Sequence, residues 1–361
     1  MRSALACGAN VNNQSPCGTS ALYWAVAVGE LRIAKLLLDE PGIDVNLQNS
    51  KRSTVLHAAA GLGNIEALLL LLTNKYVDLT IKDDEGNTPL GHAAKCGRTD
   101  VVEVLLNCPQ VTSRDVREVL HSAAKKGDGK TVQAILTNEK IDINVNFHDR
   151  VGFTALHYSA HRGHAGVVQH LLADERLDLN FPQAGSRSTA LHMAANKGHV
   201  KVVELLLAQP KVDVNFKDIK GNTSLHIAAL AGFTDVADLL LGDPRVEVNS
   251  KSEASLTPLH NATIGGHVEV VQMLLASDKV DLNSKSKDGR TAIHLAASRD
   301  RSAIVRLLLD DPRLTYINNV DEDGNAPVMV ALFNNSINSL QELLSHPRVD
   351  FDIEEVLSQT R

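Results

Sequence analysis

Three histidines, His157, His161 and His164, stand four and three residues apart, a spacing that sets imidazoles along one side of a helix as zinc ligands require. A second pair with chemical promise is His92 and Cys96, since a thiolate nucleophile needs a base within reach and an electropositive surround. Nothing near Cys96 supplies a third member or an oxyanion pocket. No G-x-S-x-G, phosphate-loop or dinucleotide fingerprint stands at a strand-to-helix junction. The chain therefore reads as a non-enzyme with no catalytic residue, no cofactor and no metal.

Composition narrows the field further. Hydrophobic residues make up 43% and charged residues 22% of the chain, the balance of a folded soluble protein. With 36 basic against 43 acidic residues the net charge is -7, which speaks against nucleic acid or an anionic membrane as partner. The 4 cysteines, Cys7, Cys17, Cys96 and Cys108, lack C-x-x-C spacing and fit a reducing compartment. The longest aliphatic run, Ala67 to Leu72, cannot span a bilayer. Too little apolar length follows Arg2 for a secretory signal, so an intracellular place, cytoplasmic or nuclear, is expected.

A length of 361 residues exceeds what one core usually supports, unless the chain grows by repetition. Most of the 15 histidines in fact recur in one column: Leu56-His57, Leu120-His121, Leu156-His157, Leu191-His192, Leu225-His226, Leu259-His260 and Ile293-His294, with Leu90-Gly91-His92 as a variant. With Leu22 and Val328 as weaker members, the anchors are spaced 34, 34, 30, 36, 35, 34, 34, 34 and 35 residues. Most units offer a Thr as helix cap, often an Ala pair that admits a close neighbour, and usually a Gly suited to a left-handed helix end. An aliphatic stripe such as Val202-Val203-Glu204-Leu205-Leu206-Leu207 then predicts a second helix. Proline and an Asp-Val-Asn exit follow, as at Pro210 and Asp213-Val214-Asn215.

These columns resemble the T-P-L-H-x-A-A-x-x-G pattern of ankyrin repeats. The resemblance implies an all-α ankyrin-repeat solenoid of about ten stacked helix-turn-helix units with β-hairpin loops. It also absorbs His157 and His164, which fall where the pattern itself places histidine, and leaves only His161 unexplained. Expected boundaries are 1–15 for the end of a partial repeat, 16–345 for the array, and 346–361 for a tail or the start of a further repeat. The fourth unit, about 109–140, is irregular: its stretch Pro109-Gln110-Val111-Thr112-Ser113-Arg114 lacks both the Asp-Val-Asn exit and the G-x-T approach, so its hairpin is expected to be missing or remodelled.

What the resemblance implies for function is a non-catalytic scaffold or adaptor, binding protein partners on the concave surface, and a monomer. The alternative is a targeting or regulatory piece of a larger multidomain protein, an enzyme, channel or ubiquitin-ligase subunit, whose activity lies elsewhere. The variable positions of that surface hold Arg114, Arg117, Lys125, Lys126, Arg150, Phe153, His161, Arg162 and Lys197, a basic stripe on an acidic protein. Further along they hold Leu230, Leu256 and Ile264, expected as exposed apolar contacts, and early in the chain Val28 and Leu62. An acidic or phosphorylated segment is the ligand this pattern suits. Finally, Leu38 and Leu207 stand eight residues before Asn46 and Asn215, similar to the pattern that asparaginyl hydroxylases modify in ankyrin arrays.

Overall fold

The computed structural model describes residues 10–349. The expected pieces of flanking repeats at 1–9 and 350–361, Cys7 among them, lie outside the described residues. Ten helix-turn-helix pairs follow one another: Ala21–Val28 with Leu31–Leu38, Val55–Leu62 with Ile65–Leu72, Pro89–Lys95 with Thr99–Leu106, Ser113–Lys126 with Gly129–Leu136, and Ala155–Arg162 with Ala165–Leu172. The other five are Ala190–Lys197 with Val200–Leu207, Ser224–Ala231 with Thr234–Gly242, Pro258–Gly265 with Val268–Leu275, Ala292–Ser298 with Ser302–Asp310, and Pro327–Phe333 with Ile337–Ser345. Below they are repeats 1 to 10.

The described residues divide into two compact units. One holds the chain to His148 with Thr154–Ser159 and Gly166–Leu177; the other holds Asp149–Phe153, Ala160–Ala165 and the chain from Asp178 onward. Within each, the leucine column forms the core. Leu22, Leu56, Leu90, Leu120 and Leu156 of the first unit and Leu191, Leu225 and Leu259 of the second are all 1–2% exposed. Burying such a side chain contributes about 1.5 to 3 kcal/mol. The Ala pairs, as at Ala194-Ala195 and Ala228-Ala229, are fully buried between first helices of adjacent repeats.

Helix starts are fixed by a threonine-histidine capping box. Thr54 N–H donates to His57 Nδ1 at 3.2 Å, and the far side of the ring, Nε2, donates to the Asn87 carbonyl at 3.1 Å, one repeat on. The same pairing joins His192 to Asn222 O at 3.0 Å, His226 to Leu256 O at 2.9 Å and His260 to Arg290 O at 3.2 Å. An imidazole that accepts at Nδ1 and donates at Nε2 is neutral, with its proton on Nε2. Repeat 3 departs from the rule. There Gly91 occupies the capping position, and His92, one residue later, pairs with Asp83 at 3.2 Å.

Between the helix pairs, the hairpin loops are tight five-residue turns, closed by bonds such as Asp83 N–H to Asn87 O (2.9 Å) and Asp218 N–H to Asn222 O (3.0 Å). Among the described residues no strand forms; one isolated bridge joins Gln14 and Ser20. Successive tips share one backbone bond, for example Asp84 N–H to Lys51 O and Glu253 N–H to Lys220 O. On the exit side an Asn amide bridges repeats: Asn46 Nδ2 donates to Tyr76 O and its Oδ1 accepts from Asp78 N–H; Asn215 does the same with Arg245 O and Glu247 N–H. Arg245 adds a clamp. Bound bidentately by Asp243, it donates to the Leu207 carbonyl at the end of the preceding repeat's second helix and to the Gln209 carbonyl just beyond it.

In repeat 4 a longer helix, Ser113–Lys126, takes the place of a tip and starts from its own capping box of Thr112 and Asp115. Gln110 supplies the bridge that Asn gives elsewhere, to Val77 O and Leu79 N–H.

The tips also set a backbone requirement. Gly221 sits at φ +74, where a Cβ would meet Glu253 N at 2.6 Å, whereas Ser255 occupies the equivalent place of the next tip at φ +58. A left-handed residue with a side chain costs roughly 1 kcal/mol. Ser255→Gly is therefore expected to raise the thermal midpoint and Gly221→Ala to lower it. Equal midpoints for both variants by calorimetry would contradict this.

Candidate partner-binding face

The ends of the first helices and the neighbouring tips carry side chains that the leucine column does not take into the core. In the second unit these positions form a cleft of about 480 Å³, lined by His161, Met193, Asn196, Ile219, Ile227 and Leu230 among others. Arg162 and Lys197 adjoin the lining residues His161 and Asn196; both are exposed, and neither makes an ion pair among the described residues. Burial, and then the charges of Lys197, Arg162 and His199, push His161 below its ordinary value, so its ring is neutral at pH 7. The cleft thus joins an apolar floor, polar groups and the tip residues Asp218 and Lys220, with the cations Arg162 and Lys197 beside it.

The remaining residues of the expected stripe divide by unit. In the first, Arg114 pairs with Glu118 (3.3 Å), which Lys82 also reaches (3.1 Å). Arg117 lies over the Phe147 ring at 4.7 Å and donates to Ser113 O, Lys125 lies over the Tyr158 ring at 4.7 Å, and Lys126 donates to Lys95 O at 3.1 Å. His121 stands between Phe147 and Tyr158, at 5.3 and 5.7 Å. Arg117 and Lys125 thus serve an internal aromatic layer. In the second unit, Arg150 is exposed at a tip and Phe153 is half-buried beside Thr154.

The apolar residues need a correction. Leu230 is exposed at 46%, but Leu256 and Ile264 are half-buried. Leu256 immediately precedes the capping Thr257, and its carbonyl is held by His226, which draws the residue down against the helix start. In the first unit Trp24, Val28 and Leu62 are exposed at 55%, 68% and 51%.

Of the candidate chemical groups, His157 is buried with Nδ1 accepting the Thr154 N–H at 3.1 Å, while His161 faces the cleft. Among the described residues no group of three or more His, Cys, Asp or Glu is placed to hold a metal ion. His92 Nδ1 is turned to Asp83, and among the described residues its ring makes no hydrogen bond to exposed Cys96. Asn46 and Asn215 share their bridging bonds with Asn12, Asn180, Asn249 and Asn283.

A family model described as ankyrin repeats (3 copies) matches residues 1–83, 41–115, 109–183, 175–252, 225–315 and 259–355. The chain is an ankyrin-repeat protein. Its fold is the all-α ankyrin solenoid, and ankyrin repeats are protein–protein interaction modules of a typically non-catalytic family. No curated protein matches the chain. Among the described residues no helix of this ankyrin array is long and apolar enough to cross a membrane.

The reading of residues missed part of the face. Met193, Ile227 and Asn261 all directly follow a capping His, and Arg299 falls at the register of Lys197; position relative to the Ala pair was the signal that finds them.

Proposed function

We propose that this ankyrin array is a non-catalytic scaffold whose second-unit cleft receives an acidic segment of a partner protein. The observation that carries this reading is the pair Arg162 and Lys197, two cations without ion pairs among the described residues, beside a cleft floored by Met193, Ile227 and Leu230. Exposed cations orient an acidic ligand and speed its encounter, while the apolar floor supplies buried area. Lys126 and Lys125, being engaged within the first unit, are left out of the site. The array is read as a monomer in a reducing, intracellular setting, cytoplasmic or nuclear, in keeping with the free Cys17, Cys96 and Cys108.

A cross-linking pull-down from lysate compares the native chain, the Arg162→Glu/Lys197→Glu variant and Lys126→Glu as control, at low and moderate salt. The expected result is a partner held by the native chain and by the control, lost with the double variant, and weakened by salt. An identical partner set for all three chains would defeat the proposal.

A further inference from the structure

The cleft is one end of a longer row. Aligned on the register of the buried Ala pair, the two positions that follow it read His161-Arg162, Asn196-Lys197, Leu230-Ala231, Ile264-Gly265 and Ser298-Arg299 across repeats 5 to 9, Arg299 being the residue that caps its helix. All of these residues belong to the second unit. Arg299 is exposed, donates to Ser298 Oγ at 3.2 Å, and has no carboxylate partner among the described residues. Burial, together with the charges of Arg301 and Arg290, pushes it below the ordinary guanidinium value, so positive charge accumulates there without neutralisation. Arg290 itself is already taken by Asp321 at 3.0 Å. The row is therefore cationic at repeats 5 and 6, uncharged across repeats 7 and 8, and cationic again at repeat 9.

We propose that this row is a two-anchor site for an extended protein segment bearing carboxylates at both ends and apolar side chains between them. The proposal rests on the reading of the cleft as an acidic-segment site and adds the second anchor and its distance. Lys197 and Arg299 are three repeats apart. With first helices about 10 Å from their neighbours, the anchors stand roughly 30 Å apart, a span that about nine residues of extended chain cover at ~3.3 Å each. Leu230 and the half-buried Ile264 lie between the anchors and receive the apolar middle. A polyanionic surface such as a bilayer or a nucleic acid suits the row less well. The uncharged middle of the row, Leu230-Ala231 and Ile264-Gly265, offers such a surface no cation.

The test uses the full chain and fluorescein-labelled synthetic peptides with two Asp at each end and alternating Leu and Ser between, the spacers being five, nine or thirteen residues, read by anisotropy. The nine-residue spacer is expected to bind at least tenfold tighter than the other two. Lys197→Glu and Arg299→Glu should each weaken it at least tenfold and remove the length preference, with circular dichroism unchanged because both positions are exposed. If Lys197→Glu weakens binding and Arg299→Glu does not, the second anchor is overturned and the cleft reading survives. If no peptide binds, or neither substitution matters, both fall. Binding of phosphoserine peptides or anionic vesicles in place of the carboxylate peptides would equally overturn the proposal.

Discussion

Lowering the pH from 7 to 5 is expected to unfold the second unit before the first. His226, His260 and His294 are pushed by burial to about 4, their bonds to backbone groups only partly offsetting the loss of water. In the unfolded chain each titrates near 6.5. Between those values the unfolded chain holds protons that the folded chain refuses, so stability rises with pH across the window and is fully present above about 6.5. Protonation also removes the acceptor that each Nδ1 offers to the threonine N–H, at 3.2 Å for His226. Each unit of pH is worth about 1.4 kcal/mol per group, so three groups lose on the order of 6 kcal/mol by pH 5. The carboxylates of Asp243 and Asp311, held down by Arg245 and Arg313, give stability that is lost only below their ordinary range, outside this window. Thermal melts at pH 7, 6 and 5 with hydrogen exchange resolve the two. A midpoint that does not move, or first-unit amides exchanging first, would refute the expectation; His226→Gln should flatten the slope by about one proton.

Leu225→Ala is expected to cost about 2 to 5 kcal/mol, the range for truncating a buried leucine and leaving a cavity. Leu225 is 1% exposed on the helix that faces repeats 6 and 8. Five residues later Leu230, 46% exposed, should cost no more than about 0.5 kcal/mol when changed to Ala. Urea unfolding of both variants decides the register: similar losses would mean that the inner and outer faces of Ser224–Ala231 are misassigned.

The contrast between these two leucines shows what the chain discloses before it is folded. Helix starts, the Ala pairs and the leucine column were legible because they recur, and each occurrence repeats one local requirement of capping or close packing. Side-chain engagement was not, because it depends on neighbours a repeat away. Lys126 and Lys197 share a register, yet one is bound to a carbonyl of the preceding repeat's first helix and the other has no ion pair among the described residues. Leu256 reads as exposed until its carbonyl is seen to be held by His226. Arg299 escaped notice because Asp300, at φ +53, stands where most repeats carry the helix-ending glycine. The aromatic layer around His121 could not be foreseen either, since Phe147 and Tyr158 come from the following repeat.

The imidazole-to-carbonyl tie has a consequence for how such a chain can change length. At four junctions His57, His192, His226 and His260 offer the same donor to the same acceptor, the carbonyl just ahead of the next threonine. Joining Asn222 directly to Thr257 would leave His192 on the Asn222 carbonyl and His260 on that of Arg290, with no polar group stranded. A cut at another phase would leave an imidazole in a dry interior without its acceptor, at the cost of an unmet buried donor. Across repeats 6 to 8, where the tie recurs without a break, gain or loss of sequence is thus quantised: whole repeats pass freely through duplication and deletion, fractions of a repeat do not.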